Sequence, residues 1–265
     1  MGLSAEFRPC IDLHDGKVKQ IVGSTLDQPG DSALRTNFVS EKSPEYYAEL
    51  YRRDDLTGGH VIQLGSGNQQ AALAALGAWP GGLQLGGGVT DENAGFYLDA
   101  GAAKVIVTSF VFSDGMFKKE RLEKLLKITG KDKLVLDLSC RRTAEGRYFV
   151  VTDRWRNFTE LEITAATLDM FSKYCSEFLI HAVDVEGKQA GIDRELLDIL
   201  AKSSEIPCVY AGGISSFEDI ALIENAGQGR VHYTIGSALD IFGGKLAYSE
   251  VVRRAALNHR KGELI

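Results

Sequence analysis

The sequence lacks any long hydrophobic run: nowhere do about 18 apolar residues follow one another, as a membrane-spanning helix requires. The first residues, MGLSAEF, also lack the apolar stretch of a signal peptide. We therefore expect no interaction with a membrane. The expected compartment is the cytoplasm, or the plastid stroma if the source is a plant and a transit peptide has been removed.

Clusters of positive charge are also missing. The chain has 30 Lys and Arg residues against 36 Asp and Glu residues, which gives a net charge of −6. No block of Lys or Arg is long enough to neutralise a phosphate backbone, so we expect no nucleic-acid partner. The apolar share of 44% is ordinary for a globular protein with a full core, so disorder is not expected.

Cysteine is scarce, and its positions lie far apart with no paired metal-ligand spacing. Three of the four lie in apolar strand-like runs, which predicts buried free thiols rather than disulfides or zinc ligands and fits a reducing compartment. Four of the five histidines lie in or near predicted strands and show no metal spacing either. A packed histidine, or one that supports a neighbouring site residue, is more common there than a ligand, so we predict no metal site. These residues are Cys10, Cys140, Cys175 and Cys208, and His14, His60, His181 and His232.

The sequence does contain a regular series of short runs rich in Val, Ile and Leu. Most are apolar on both faces, which is typical of strands in a parallel sheet buried on both sides. The eight runs are residues 7–13, 60–65, 83–88, 104–109, 134–140, 178–184, 208–213 and 231–237. Amphipathic helical patterns lie between them at residues 43–54, 91–101, 116–130, 193–203 and 216–227. This alternation predicts an α/β fold, a (β/α)₈ TIM barrel rather than an open doubly wound sheet.

The two halves of the chain share features at a nearly constant offset. Asp12 and Asp137, each late in an apolar strand, are 125 residues apart, as are GGVT at 87–90 and GGIS at 212–215. VTS at 107–109 and IGS at 235–237 are 128 residues apart. We interpret the chain as two duplicated half-barrels, about residues 7–130 and 131–257. No linker divides them, so we expect a single barrel domain over residues 1–265.

Asp12 and Asp137 are the candidate catalytic residues. Because the carboxyl ends of barrel strands face the active site, the two carboxylates would stand on opposite sides of one mouth. Two carboxylates can serve as acid and base when their surroundings push their pKa values apart. The alternative is that each Asp merely accepts backbone hydrogen bonds at a strand-to-loop junction.

The glycine-rich strand ends predict phosphate binding. Glycine permits close approach of the backbone, so its N–H groups, aided by the N-terminus of the next helix, can cradle a phosphate. The loops after strands 7 and 8 are the common phosphate site of barrel enzymes, and the internal symmetry adds a second site at strands 3 and 4. Two opposed sites imply a substrate with a phosphate at each end. The candidates are Gly87, Gly88, Thr108, Ser109, Gly212, Gly213, Gly236 and Ser237.

A long insertion after strand 5, residues 145–158, carries Trp155 between two arginines. An exposed Trp on an active-site loop can stack on a heteroaromatic ring as the loop closes over the substrate. Packing of Trp155 against the barrel rim is an equal alternative. The loop after strand 6 places Asp184, Glu186 and Lys188 near the mouth, where solvated charges are the default expectation.

Seven motifs, considered together, resemble one family. They are PCIDLHDGKVKQIVGSTL (9–26), LQLGGGV (83–89), KVIVTSFVF (104–112), LVLDLSCR (134–141), HAVDVEGKQAGID (181–193), YAGGI (210–214) and TIGSALDIFGG (234–244). From about residue 7 to about residue 257, the chain resembles the phosphoribosylformimino-aminoimidazole-carboxamide ribonucleotide isomerases of histidine biosynthesis, in their fungal and plant form. The resemblance implies a duplicated (β/α)₈ barrel. It also implies an Amadori rearrangement of an aminoaldose to an aminoketose.

The resemblance assigns roles to individual residues. It implies that Asp137 is the general acid for ring opening and Asp12 the base that removes the C2 proton, with no metal or cofactor. The glycine and hydroxyl residues of strands 3, 4, 7 and 8 would hold the two phosphates, and Trp155 would stack on the substrate. Arg141 and Lys188 are further binding candidates. Lys188 takes the place of a Thr that helps the chemistry in bacterial relatives, so that role is not transferred.

Three alternatives remain. In the sister cyclase family a catalytic Lys follows the strand 1 Asp by eight residues, where this chain has Gln20. A bifunctional isomerase acting also on phosphoribosylanthranilate would share the same chemistry. A barrel that only binds sugar phosphates would keep the phosphate features and lose a carboxylate, yet Asp12 and Asp137 are both present. We expect a monomer whose partner is a small bisphosphorylated ribonucleotide.

Overall fold

The structure is a computed structural model that describes residues 4–21, 36–153, 155–185 and 191–263. Its strands are β1 (Cys10–His14), β2 (Lys17–Ile21), β3 (Thr36–Val39), β4 (Gly59–Gln63), β5 (Leu83–Gly86), β6 (Val105–Val107), β7 (Phe112–Ser113), β8 (Met116–Phe117), β9 (Leu134–Asp137), β10 (Cys140–Arg142), β11 (Tyr148–Thr152), β12 (Asn157–Glu162), β13 (Glu177–His181), β14 (Cys208–Ala211) and β15 (Val231–Tyr233). All eight predicted strands are confirmed, each shorter than predicted.

The helices follow the strands in alternation. They are α1 (Pro44–Arg53), α2 (Gln69–Ala78), α3 (Ala94–Asp99), α4 (Lys119–Thr129), α5 (Ala165–Ser172), α6 (Arg194–Ser203), α7 (Phe217–Ala226) and α8 (Tyr248–Glu263). The five predicted helices are confirmed, and α2, α5 and α8 were not predicted. No helix in the described ranges is long and apolar enough to cross a membrane.

Eight of the strands form one curled parallel sheet, in the order β1, β4, β5, β6, β9, β13, β14, β15. The segment before β1 meets the far edge, since the Arg8 N–H donates to the Tyr233 carbonyl at 2.8 Å and the Tyr233 N–H donates to the Glu6 carbonyl at 3.0 Å. This α/β architecture is consistent with the TIM-barrel fold.

The core explains why the strands are apolar on both faces. In β6, Ile106 points into an inner cluster, whereas its neighbours Val105 and Val107 belong to the larger outer cluster. Successive side chains of a strand point to opposite faces, so a sheet covered on both sides needs apolar residues at every position. The inner cluster consists of Ile106, Val135, Leu179, Val209 and Ala211, with Ile62 packed against it.

The amino end of the sheet contains a buried charge that is paired. Glu177, the first residue of β13, is 2% exposed and accepts hydrogen bonds from the Gln84 amide at 2.8 Å and the Lys104 ammonium at 3.2 Å. Such pairing is required because an isolated buried carboxylate is costly. The four cysteines are free and buried, as predicted.

Short antiparallel strands lie beyond the carboxyl ends of the parallel strands. β1 turns into β2 through Asp15 and Gly16, whose φ values of 52° and 71° suit a two-residue hairpin turn. The predicted insertion after strand 5 is a three-stranded sheet of β10, β11 and β12. β7 and β8 form a small hairpin.

Candidate active site

A cavity of about 400 Å³ lies at the carboxyl ends of the parallel strands. This volume is within the range of small-ligand sites. Many of the predicted site residues line it, and they come from six of the eight parallel strands or the loops that follow them and from the insertion. Those residues are Asp12, Gly87, Gly88, Thr108, Ser109, Asp137, Trp155, Gly212 and Gly236.

Asp12 is partly buried near the end of β1. The β1–β2 hairpin brings Gln20 back beside it, and the Gln20 amide donates a hydrogen bond to Asp12 Oδ2 at 3.0 Å. Gln20 also donates to the sulfur of Cys10 at 3.8 Å, and it is 4% exposed. The hairpin therefore fixes one oxygen of the Asp12 carboxylate within the cavity wall.

Asp137 ends β9 and is 8% exposed. The Thr108 hydroxyl donates to Asp137 Oδ2 at 3.1 Å, and the Ser139 hydroxyl donates to Oδ1 at 2.9 Å. His181 Nδ1 lies 3.2 Å from the same Oδ1 atom. The two hydroxyl donors favour the ionised form of the carboxyl group, because an ionised carboxylate only accepts hydrogen bonds.

The pKa of Asp137 follows from this environment. Burial by itself raises the pKa of the carboxyl. The charge and hydrogen bond of His181, with the two hydroxyl groups, oppose burial and hold the pKa below its ordinary value. The carboxyl group for which the family resemblance implies the role of general acid is therefore ionised in this arrangement.

The two carboxylates belong to strands that are four positions apart in the sheet order, β1 and β9. Both line the one cavity. Their neighbours differ, since Asp12 accepts from an amide whereas Asp137 accepts from hydroxyl groups and contacts an imidazole. The chemistry of acid and base roles requires such a difference.

The glycine loops after β5 and β14 have matching backbone conformations. Gly87 and Gly88 have φ values of 91° and 69°, and Gly212 and Gly213 have φ values of 118° and 76°. A Cβ on Gly87 would lie 2.1 Å from the Gln63 carbonyl oxygen. The loops therefore require glycine both for backbone conformation and for close approach.

The residues after these glycines are already hydrogen-bonded within their own loops. The Thr90 N–H donates to the Asn93 side chain at 2.8 Å. At the start of α7 the Asp219 carboxylate accepts from the N–H groups of Ser215 and Ser216, at 2.9 Å and 3.0 Å. The N–H groups of Ser215 and Ser216, just before α7, are therefore bonded to Asp219 and are not open to a phosphate.

Trp155 lies in the turn between β11 and β12 and is partly buried. It has a φ value of 67°, in the left-handed region. Its ring centroid is 6.5 Å from that of His181, and the ring lines the cavity. The three-stranded insertion therefore places an aromatic ring at the cavity that the two carboxylates line.

Other predicted residues lie elsewhere. Gly213, Ser237 and Arg141 do not belong to the cavity lining among the described residues. Arg141 Nε donates to Asp184 Oδ1 at 3.1 Å instead. Lys188 lies outside the described residues. Thr108 lines the cavity, but its hydroxyl contacts Asp137 rather than standing open to a phosphate.

Several cavity residues are not among the predicted site residues. For His181 the sequence predicts a packed histidine or one that supports a neighbouring site residue, and its contact with Asp137 fits the second of these. His60 also lines the cavity, where burial lowers the pKa of its ring to about 3 and keeps it neutral. Gln20 enters the sequence prediction only as a difference from the cyclases. In the described ranges no group of His, Cys, Asp and Glu could hold a metal ion.

A curled parallel α/β sheet whose strand ends converge on one cavity, lined here by two carboxylates, is typical of enzymes. A family model described as "Histidine biosynthesis protein" matches residues 6–246, and the chain belongs to this family.

Three relatives share the printed name 1-(5-phosphoribosyl)-5-((5-phosphoribosylamino)methylideneamino) imidazole-4-carboxamide isomerase. The chain is 52% identical over 255 residues to the chloroplastic one of Medicago truncatula, which covers 94% of this chain and 81% of the relative. It is 53% identical over 241 residues to that of Neurospora crassa, covering 90% and 93%. It is 47% identical over 250 residues to that of Saccharomyces cerevisiae, covering 92% and 95%.

Proposed function

We propose that the chain is the isomerase of histidine biosynthesis for which these relatives are named. The reaction is an Amadori rearrangement of a doubly phosphorylated aminoaldose to its aminoketose. One structural observation supports the proposal independently of the relatives' names. Asp12 and Asp137, from strands four positions apart, line one cavity together with glycine loops at matched positions. Such a site offers acid–base groups and places for two phosphates.

The fold is proposed to be a closed (β/α)₈ barrel of two half-barrels, in a single domain over residues 1–265. The hydrogen bonds between Tyr233 and the segment before β1 support closure. The left-handed glycine pairs 87–88 and 212–213 support the duplication, because they recur at the same offset as the two aspartates. Both carboxylates and both loops belong to one chain, so we propose that a monomer is active.

Two proton-transfer steps account for the reaction. Asp137 passes a proton to the ring oxygen of the aminoaldose as the C1–O bond breaks and the nitrogen lone pair forms a Schiff base. Asp12 then removes the C2 proton, which gives an enolamine that tautomerises to the ketose. No electrons leave the substrate, so the proposal requires no redox cofactor. It also requires no metal, because the proton donor and acceptor are side chains.

The phosphates are proposed to bind at the two glycine loops. Within the described residues the cavity lining contains no Lys or Arg, so recognition would rest on backbone N–H groups and hydroxyls. Gly87, Gly88, Gly212, Gly236 and the exposed Ser109 line the cavity and remain the binding candidates. Gly213, Ser237, Arg141 and Lys188 are kept as weaker candidates. A cytoplasmic location, or a plastid one as in the Medicago relative, is proposed with this function.

Trp155 is predicted to stack on a heteroaromatic part of the substrate. We expect Trp155→Ala to raise KM about fivefold to 150-fold, since stacking of a base on an aromatic ring contributes about 1–3 kcal/mol. The Trp155→Phe variant should retain most of the affinity, because Phe preserves an aromatic face. Steady-state kinetics measures both effects.

The second Trp of the chain supplies the control. Trp79 follows α2, packs beside Gly82 and is not among the described residues that line the cavity. Trp79→Phe should leave KM unchanged and leave Trp155 as the single tryptophan. Titration of that variant with substrate should then change its fluorescence. An unchanged emission at saturation would show that Trp155 does not contact the substrate.

The direct test is an assay of the purified protein with the aminoaldose substrate, in which NMR follows the appearance of the aminoketose. We expect turnover at about 1–10³ per second, the common range for enzymes. Removing either phosphate from the substrate should raise KM. Absence of ketose formation by the folded protein would refute the proposed function.

A further inference from the structure

We propose that His181 supplies the proton that Asp137 passes to the substrate, so that the proton donor is the His181–Asp137 pair. This inference rests on the proposed isomerase function and adds a residue to it. His181 acts through Asp137 and is therefore a positioning and proton-supplying residue.

The two side chains belong to neighbouring strands. β13 runs parallel to β9, with Leu179 opposite Asp137, and His181 is the last residue of β13. His181 Nδ1 lies 3.2 Å from Asp137 Oδ1, and the two side chains are 20% and 11% exposed. Both residues line the cavity. The pair is therefore close enough for proton transfer and lies beside the space where a substrate would bind.

The hydrogen bonds of Asp137 indicate which atom of the His181–Asp137 pair carries the proton. An ionised carboxylate offers no donor, and the Thr108 and Ser139 hydroxyls already donate to it. Nδ1 of His181 must then carry the hydrogen in its contact with Asp137. A general acid needs a proton that is lost easily near neutral pH, and imidazolium fits this better than a hydroxyl group.

Among the described residues, three further titratable groups near His181 or in the cavity wall are poor proton donors. His60, which also lines the cavity, stays neutral, because burial and the charge of nearby His181 lower its pKa to about 3. Burial raises the pKa of Cys140, at the start of β10, so its thiol is a poor acid. Asp153 lines the cavity and is ionised, since hydrogen bonds from Thr152 and Asn157 lower its pKa. On β14 the residue opposite His181 is Ala211.

The proposed step balances in protons and electrons. The nitrogen lone pair forms the C=N bond while the C1–O electron pair goes to the ring oxygen. That oxygen takes a proton from Asp137, which takes the Nδ1 proton of His181. The imidazolium becomes neutral imidazole, the carboxylate is regenerated, and the substrate carries the positive charge as a protonated Schiff base.

The test compares His181→Gln with the wild type across a range of pH. Gln keeps a hydrogen-bond donor for Asp137 but has no proton to release near neutral pH. We expect kcat to fall about tenfold to a hundredfold with KM nearly unchanged, because the proton acts only in the transition state. The wild-type kcat should decline on the alkaline side as the imidazolium deprotonates, and this decline should be absent from the variant.

Chemical rescue provides a second readout. Added imidazole should partly restore kcat of His181→Ala, and rescue should weaken as the pH rises. His232→Gln is the matched control, because His232 is a buried histidine that accepts the Glu6 N–H and lies outside the described cavity lining. The control should keep its kcat.

The outcomes separate the inference from the function on which it rests. An active wild type with a His181→Gln variant of normal kcat and an unchanged alkaline decline would overturn the role of His181. An inactive wild type would instead refute the isomerase function. Circular dichroism and thermal melting must show that each variant is folded, and the imidazole rescue decides the case if the Gln variant unfolds.

Discussion

Replacing Asp12 with Asn is expected to lower kcat about 10²-fold to 10⁴-fold, the usual contribution of a general base. Asn preserves the size of the side chain and an oxygen that accepts from Gln20, so the hairpin should be retained. The loss removes a proton acceptor that acts only in the transition state, and KM should therefore change little. Steady-state kinetics with the aminoaldose measures both constants.

Asp15→Asn is the matched control for this variant. Asp15 lies three residues further along the chain, is exposed, and pairs with Lys19. It has a positive φ value that Asn tolerates well. We expect its kcat to equal that of the wild type. If Asp12→Asn also retained normal turnover while folded, Asp12 would not be the base.

Asp137→Asn is expected to produce a loss of similar size, about 10²-fold to 10⁴-fold in kcat. The amide can neither take a proton from His181 nor pass one to the ring oxygen. Asn has one acceptor oxygen for the three donors that meet Asp137. We therefore expect a destabilisation of about 1–3 kcal/mol, which urea unfolding measures.

Asp132→Asn is the matched control for Asp137→Asn. Asp132 is exposed and precedes the same strand, at its amino end. Its variant should match the wild type in kcat. A folded Asp137→Asn protein with near-normal turnover would contradict the assignment of Asp137 as the acid.

The strands could be predicted because they are buried on both faces and therefore consist mostly of apolar residues. Val105 and Val107 belong to the larger outer cluster while Ile106 belongs to the inner cluster, so every position is apolar and the run stands out. Their ends could not be predicted well. Residues such as Gly87 and Gly88 continue the run in sequence but take left-handed conformations that end the strand.

The missed helices have a different cause. α2 has the sequence QQAALAALGA and α5 has AATLDMFS, in which apolar residues are too evenly spread to show one polar face. The insertion after strand 5 forms antiparallel strands, although its sequence contains many charged residues. Pairing across the insertion, and not composition, determines that sheet.

The candidate site was predictable in its carboxylates and glycines, since both recur at one offset along the chain. The hydrogen-bond environment of Asp137 was not predictable, because Thr108 and His181 are distant from it in sequence and meet it only in the folded sheet. Just before α7, the N–H groups of Ser215 and Ser216 donate hydrogen bonds to one local carboxylate, Asp219. A capping motif there could have been recognised from the spacing of Ser216 and Asp219.

The most direct measurement is kcat/KM of the purified protein on three substrates side by side: the isomerase aminoaldose, the cyclase substrate and phosphoribosylanthranilate. We predict about 10⁴ M⁻¹s⁻¹ or more with the aminoaldose, within the range of natural enzymes. The cyclase substrate should not react, because Gln20 stands where that family has its catalytic Lys. Phosphoribosylanthranilate should react more slowly than the aminoaldose. A protein that turned over the cyclase substrate but not the aminoaldose would contradict the account.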